Sequence, residues 1–159
     1  MHEKDHTYFN EGQLASKGIE QMAETGSTST LVSELQALID NNEGLSTYTG
    51  SGLNSGVGTI SIDITVNLDF PAVSLASMLA PSPDWFVVCI NVNLLEEDGG
   101  FVIEITVVGH VDDADTEEGD TFSFNNDESC PQESIREIVE IPLGNGTFVK
   151  SSLCTVVFT

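Results

Sequence analysis

Trp85-Phe86-Val87-Val88-Cys89-Ile90-Asn91-Val92-Asn93-Leu94-Leu95, then Glu96-Glu97-Asp98-Gly99-Gly100, then Phe101-Val102-Ile103-Glu104-Ile105-Thr106-Val107-Val108-Gly109: two apolar, β-branched runs joined by an acidic turn ending in paired glycines. Such runs fit the pleated, half-buried surface of a strand, and a five-residue turn of this kind joins antiparallel neighbours. Upstream, residues 72–79 (AVSLASML) read as another strand. Before them, Ile60, Ile62, Ile64, Val66 and Leu68 alternate with Ser61, Asp63, Thr65 and Asn67, the period of two expected of a half-buried strand. Downstream, 120–125, 134–142 and 147–158 complete the set, with Asn145-Gly146 as a hairpin turn between the last two. Short strands with frequent turns and no alternating helices predict a mainly β fold, an antiparallel β-sandwich.

The N-terminal third differs. Residues 1–12 are polar and read as a loose arm or an irregular lead-in, leaving 13–159 as a single domain. Residues 13–25 predict a short helical stretch interrupted by Gly18. Leu31, Leu35, Leu38 and Ile39 fall on one face of a second helix, with Ser29 or Thr30 able to cap it and Gly44 beyond its end. Both helices are expected at an edge or end of the sandwich. Residues 44–58 are rich in Gly, Ser and Thr and read as loop.

Charge narrows the function. Twenty-six Asp and Glu face four Lys and Arg, for a net charge of −22. That field repels phosphate backbones and anionic membrane surfaces, so nucleic acid and membrane insertion are excluded as partners. It also opposes compaction unless cations screen it. No apolar run reaches membrane-spanning length, and residues 1–15 carry no apolar signal segment, so a secreted form would have had its signal removed.

One hairpin points to a metal. Pairing Leu95 with Phe101 and running both strands back puts Asp84 opposite Asp112, beside Asp113. The Pro81-Ser82-Pro83-Asp84 loop then meets the loop of Asp112, Asp113, Ala114, Asp115, Thr116, Glu117 and Glu118 at one end of the sandwich. Carboxylates converging from two loops repel one another, and a hard cation relieves that repulsion. Calcium takes 6–8 oxygen ligands from such loops. Zinc or copper would want imidazole or thiolate, and only His110 is near. The bland alternative is a solvated acidic loop. The EF-hand pattern is absent: counted from Asp113, the sixth position is Glu118 and the twelfth Phe124.

The stretch Ser77-Met78-Leu79-Ala80-Pro81-Ser82-Pro83-Asp84-Trp85-Phe86-Val87 resembles the signature of the spondin-domain family, S-M-hydrophobic-x-P-S-P-D-W-F-V. Asp113-Ala114-Asp115-Thr116-Glu117-Glu118-Gly119 resembles its D-A-G-T-D-S-G loop, at a similar interval. Glu11 to Ile19 with Ala23-Glu24-Thr25-Gly26 is similar to the lead-in of microbial members, and Pro131-Gln132 with Ile135 echoes the segment after the acidic loop. The resemblance implies a C2-like antiparallel sandwich with calcium at its loop end. By motif position it assigns the ligands to Asp84, Asp113 and Glu117, the last a Glu where the family has Asp. Asp115 stands where the family has Gly, which strains the turn or adds a carboxylate; Asp112 and Asp115 are possible additional ligands.

Other motifs are weaker. His2-Glu3-Lys4-Asp5-His6 matches HExxH but lies at a polar terminus without the rigid helix that zinc chemistry needs. Asn145-Gly146-Thr147 is a glycosylation sequon that the hairpin turn also explains. Trp85 reads as core and His110 as a strand-end histidine. Three cysteines, Cys89, Cys130 and Cys154, allow one disulfide. Cys130–Cys154 is favoured if the loop folds back, with Cys89 an unpaired, half-buried thiol. No catalytic constellation is legible, so no enzyme is expected. The expected function is a secreted or cell-surface, calcium-binding recognition, adhesion or matrix-type module with a protein or matrix partner; the alternative is a self-associating structural subunit of a filament or surface layer.

Overall fold

The structure is a computed structural model that describes every residue of 1–159 except positions 5, 7, 125, 126, 144 and 151. Two helices open the fold. In α1 (Lys17–Thr25), Ser16 caps the first turn by accepting from the Ile19 N–H at 3.2 Å, and Gly26 closes the last at φ 72°. Ile19, Met22 and Ala23 form its buried face. Helix α2 (Ser29–Asp40) starts from Thr28, one residue before the expected caps, and has no side-chain cap bond.

Gly18 does not interrupt α1; the helix runs through it. Its role is close approach. A Cβ at position 18 would lie 2.6 Å from Leu31 Cα and 2.8 Å from Leu31 N, on the backbone of α2. The Gly18 N–H also donates to Glu34 Oε1 at 2.8 Å. On helix propensity alone Gly18→Ala would gain about 1 kcal/mol. Because backbone must move, we expect instead a loss of about 1–3 kcal/mol in denaturant unfolding. A stabilised variant would refute the close approach.

The sheet comprises β1 (Ala72–Met78), β2 (Trp85–Asn93), β3 (Ile105–Asp113), β4 (Arg136–Glu137) and β7 (Cys154–Phe158), in the order β1-β2-β3-β4, with β7 also on β3. All pairings are antiparallel. Strands β4 and β7 take successive stretches of β3: β4 runs beside Asp112–Asp113 and β7 beside Ile105–Gly109. A ribbon of β5 (Glu140–Pro142) and β6 (Phe148–Lys150) completes the fold, turned by Asn145-Gly146 with Gly146 at φ 83°. The mainly β, antiparallel expectation holds.

Alternation along β2 divides the core. Phe86 and Val88 pack with Phe9, Ile19, Met22, Ala23, Ala114 and Ile135, the helix side. Trp85 and Val87 pack with Val111, Ile138 and Ile141, the ribbon side, where Trp85 meets Phe122 edge-on. Cys89, Val73, Val92 and Leu94 form a third cluster.

Register departs from the simple hairpin. Leu95 does bridge Phe101, but at the far end Trp85 pairs with Asp113, two residues out of step. A shift of two preserves which side chains share a face. On the β1 side of β2, Val73 pairs with Val92 and Leu75 with Cys89, so Ser74 faces both Ile90 and Asn91 in a bulge, with Asn91 at φ 53°. Ser74 Oγ accepts the Asn91 N–H at 2.9 Å and donates to His2 Nε2 at 2.7 Å, while His2 Nδ1 donates to the Glu3 carbonyl at 2.7 Å. The described residues of 1–12 form no helix or strand, yet His2 is buried and exchanges both backbone bonds with Ala72. With both ring nitrogens engaged, His2 is no free ligand for an HExxH site.

Three expectations are corrected. Residues 59–66 form no strand: Ile60 and Ile62 are exposed, and Ile64 and Val66 rest against the third cluster. Alternation reports fit to a half-buried surface and does not supply a hydrogen-bonding neighbour. The stretch 120–125 holds no strand among its described residues, and 134–142 and 147–158 each divide in two. Finally, Cys154 pairs with Gly109 of β3 and not near residue 136. Its thiol hydrogen-bonds that of Cys89 above Gly109, where a Cβ would collide with Cys154 Sγ. Cys130 is exposed, and all three cysteines are free thiols, so the Cys130–Cys154 bridge is absent.

Candidate metal centre

The two loops meet as their sequences require. Ser82 pins the first: its hydroxyl donates to the Leu79 carbonyl and accepts the Trp85 N–H at 3.1 Å. Buried Trp85 then fixes Asp84 at the strand start. The second loop folds back over the first at Gly119, where a Cβ would lie 2.7 Å from Pro83 Cγ. Asp115 adopts φ 52°, a left-handed conformation that a short polar side chain tolerates.

Asp84 is the centre of the arrangement, 0% exposed. Its Oδ2 accepts from Thr116 N at 2.6 Å, Thr116 Oγ1 at 3.1 Å and Glu117 N at 3.0 Å. Its Oδ1 is buried and has no hydrogen-bond partner among the described residues; the same is true of Glu117 Oε2. Asp113 is buried, with Oδ1 accepting the Asp115 N–H at 3.0 Å and Oδ2 held by Arg136 Nη2 at 2.5 Å. Arg136 Nε lies 2.9 Å from Asp115 Oδ2.

The carboxylates repel. Burial, and next the Asp84 charge, push Asp113 up to about 7. Burial, then Glu24 and Asp84, push Glu117 up to about 7. Asp115 is also raised by burial, opposed by Arg136. Buried carboxylates with orphaned oxygens and raised pKa values are the electrostatic signature of a site built for positive charge. The donors are all oxygen, which fits a hard cation.

Asp84, Asp113, Asp115 and Glu117 thus come together. Asp112 does not join them. It alternates to the opposite face of β3, pairs with Phe86, and lies beside His110. Sequence reasoning missed two contributors. Glu24 of α1 hydrogen-bonds Thr116 and is raised chiefly by burial; nothing local distinguishes it from other helix-surface acids. Arg136 was visible only as one of four basic residues in the chain. A cleft of about 350 Å³ between α1 and the acidic loop, and another of about 440 Å³ beside Arg136, both open onto Glu117.

A family model described as Spondin_N matches residues 1–145. Spondin-2 of Rattus norvegicus is 28% identical over 138 residues, 86% of this chain and 42% of that protein. Spondin-2 of Homo sapiens is also 28% identical over 138 residues, covering 41% of its length. Spondin-1 of Gallus gallus is 27% identical over 146 residues, 88% of this chain and 18% of that protein. The chain therefore spans about two fifths of the spondin-2 proteins and under a fifth of this spondin-1.

Proposed function

This chain belongs to the Spondin_N family, and from that premise we propose that it is an extracellular recognition or adhesion module of the matrix type, stabilised by calcium at the Asp84 loop end, and not an enzyme. The observation that carries the calcium reading is the buried, unpartnered Asp84 Oδ1 beside Asp113 and Glu117. Asp84, Asp113 and Glu117 would hold the ion, with Asp115 available once Arg136 swings away. The ion would do no chemistry; it would lock two loops that otherwise repel and so fix the shape of that end for a protein or matrix partner. No helix among the described residues is long and apolar enough to cross a membrane.

The test is thermal. A ligand bound only by the native state adds about 2.7 kcal/mol at a hundredfold excess over Kd. The melting temperature should rise with millimolar calcium and fall with chelator; an unmoved curve at low ionic strength refutes the site.

The effect should depend on pH in a definite sense. Asp113 and Glu117 titrate near 7 in the fold, against ordinary values of 3.8 and 4.5. As pH rises the unfolded chain therefore loses these protons first, and the cation-free fold loses stability from about pH 4 to pH 7. Calcium needs the ionised carboxylates. Its stabilisation should be small at about pH 5 and full at about pH 8. A larger shift at the acid end would contradict this assignment.

One feature favours a second reading, self-association into a filament or surface layer. Residues 59–66 alternate apolar and polar side chains yet pair with no strand, and Ile60 and Ile62 are exposed. Sedimentation with and without calcium separates a monomeric module from a polymerising subunit.

A further inference from the structure

On the other face of β3 from the Asp84 centre, His110 and Asp112 stand two residues apart and so point the same way. Glu11 approaches them from the N-terminal segment. The three ligand atoms, one from each side chain, lie within 4.8 Å of one another. We propose that Glu11, His110 and Asp112 form a second metal site, for a divalent transition ion of the zinc type, which clips the N-terminal segment to β3.

The first support is an unsatisfied buried group. The Asp112 side chain is only 2% exposed, and its Oδ1 has no hydrogen-bond partner among the described residues. His110 Nε2 is likewise buried without one. The two atoms are 3.3 Å apart but not aligned for a hydrogen bond. Leaving such groups unpaired is costly, and a cation between them would satisfy both. Their separation also suits one: two ligands about 2.1 Å from a tetrahedral zinc lie about 3.4 Å from each other.

The second support is placement. Glu11 is exposed and free to close on the ion, but its backbone neighbourhood is fixed. Phe9 is buried in the helix-side core, the Gly12 N–H donates to the Ile135 carbonyl at 2.8 Å, and the Ile135 N–H donates to the Gln13 carbonyl at 2.8 Å. The donor set selects the metal. One imidazole and two carboxylates are too few oxygens for calcium but suit zinc with a water in the fourth position.

The test uses the tag-free full chain, stripped of transition metal and held in saturating calcium. Cobalt(II) is titrated in while visible absorption is followed, and zinc binding is measured by calorimetry. One equivalent of cobalt should give tetrahedral-type absorption that zinc abolishes, and zinc should raise the melting temperature. His110→Gln and Glu11→Gln should each weaken zinc binding by more than about tenfold, the least that loss of even a supporting contact costs. Both should keep the wild-type response to calcium. Asp84→Asn should keep the cobalt spectrum. The proposal is overturned by a wild-type chain that shows neither cobalt absorption nor zinc heat, by His110→Gln and Glu11→Gln binding like wild type, or by a cobalt signal that Asp84→Asn abolishes and His110→Gln spares. Because Glu11 is exposed, its variant remains informative should His110→Gln fail to fold.

Discussion

Asp84→Ala should lose on the order of 3 kcal/mol of stability even without calcium, and should lose the calcium response altogether. Its carboxylate accepts three hydrogen bonds, two from Thr116 and one from the Glu117 N–H, in a position with no solvent contact. Alanine orphans all three donors, at about 1–3 kcal/mol each where water cannot replace the acceptor. Relief of repulsion with Asp113 and Glu117, and water entering the vacated space, offset part of that sum. Asp84→Asn separates the contributions. The amide oxygen still accepts and the repulsion is gone, so calcium-free stability should equal or exceed wild type while the calcium-induced shift disappears. Asp63→Ala, at an exposed position, should change neither. Denaturant unfolding with calcium calorimetry on the same samples decides it, and an Asp84→Asn protein that still gains stability from calcium would remove Asp84 from the ligand set.

Phe86→Ala is the second large effect. Phe86 is 0% exposed and is the sheet residue around which Phe9, Ile19, Met22, Ala23 and Ile135 close. Truncating a buried Phe costs about 3–5 kcal/mol in transfer and cavity terms. At 2–4 °C per kcal/mol for a domain of this size, the melting temperature should fall by roughly 6–20 °C. Val108→Ala, at a residue 58% exposed, should stay within about 0.5 kcal/mol. Equal losses at the two positions would mean that the helices do not seal this side of the sheet.

That pair also marks the limit of what could be read without coordinates. Phe86 and Val108 sit in runs equally apolar in sequence, yet one strand is covered on both faces and the other is open over part of its length. The strands β1 and β2, both helices and the Asn145-Gly146 turn were legible, because each rests on local patterning or turn chemistry; β3 was legible in part, running Ile105–Asp113 where 101–109 was expected and so taking Asp112 and Asp113 out of the loop. The 59–66 stretch was misread, since alternation says nothing about whether a neighbouring edge is free. At the candidate metal centre, the convergence of Asp84, Asp113, Asp115 and Glu117 was legible because they lie on two loops joined by one hairpin. Asp112 is separated from Asp113 by the alternation of β3, and Asp84, one residue before β2, does not follow the alternation that would have set it with Asp112. Glu24 and Arg136 come from distant segments, and only tertiary packing brings them in.

The missing side chain at Gly109 has a kinetic consequence. It makes room for the Cys89 and Cys154 thiols to meet between strands, and burial together with Cys154 pushes the Cys89 thiol up to about 11. A thiol held protonated and covered is a poor nucleophile, whereas Cys130 lies open at the surface. The three cysteines therefore constitute a built-in clock. An alkylating reagent should modify exposed Cys130 at once and reach buried Cys89 only when β7 parts from β3, so the lag between the Cys130 and Cys89 adducts reads the opening of that strand pair.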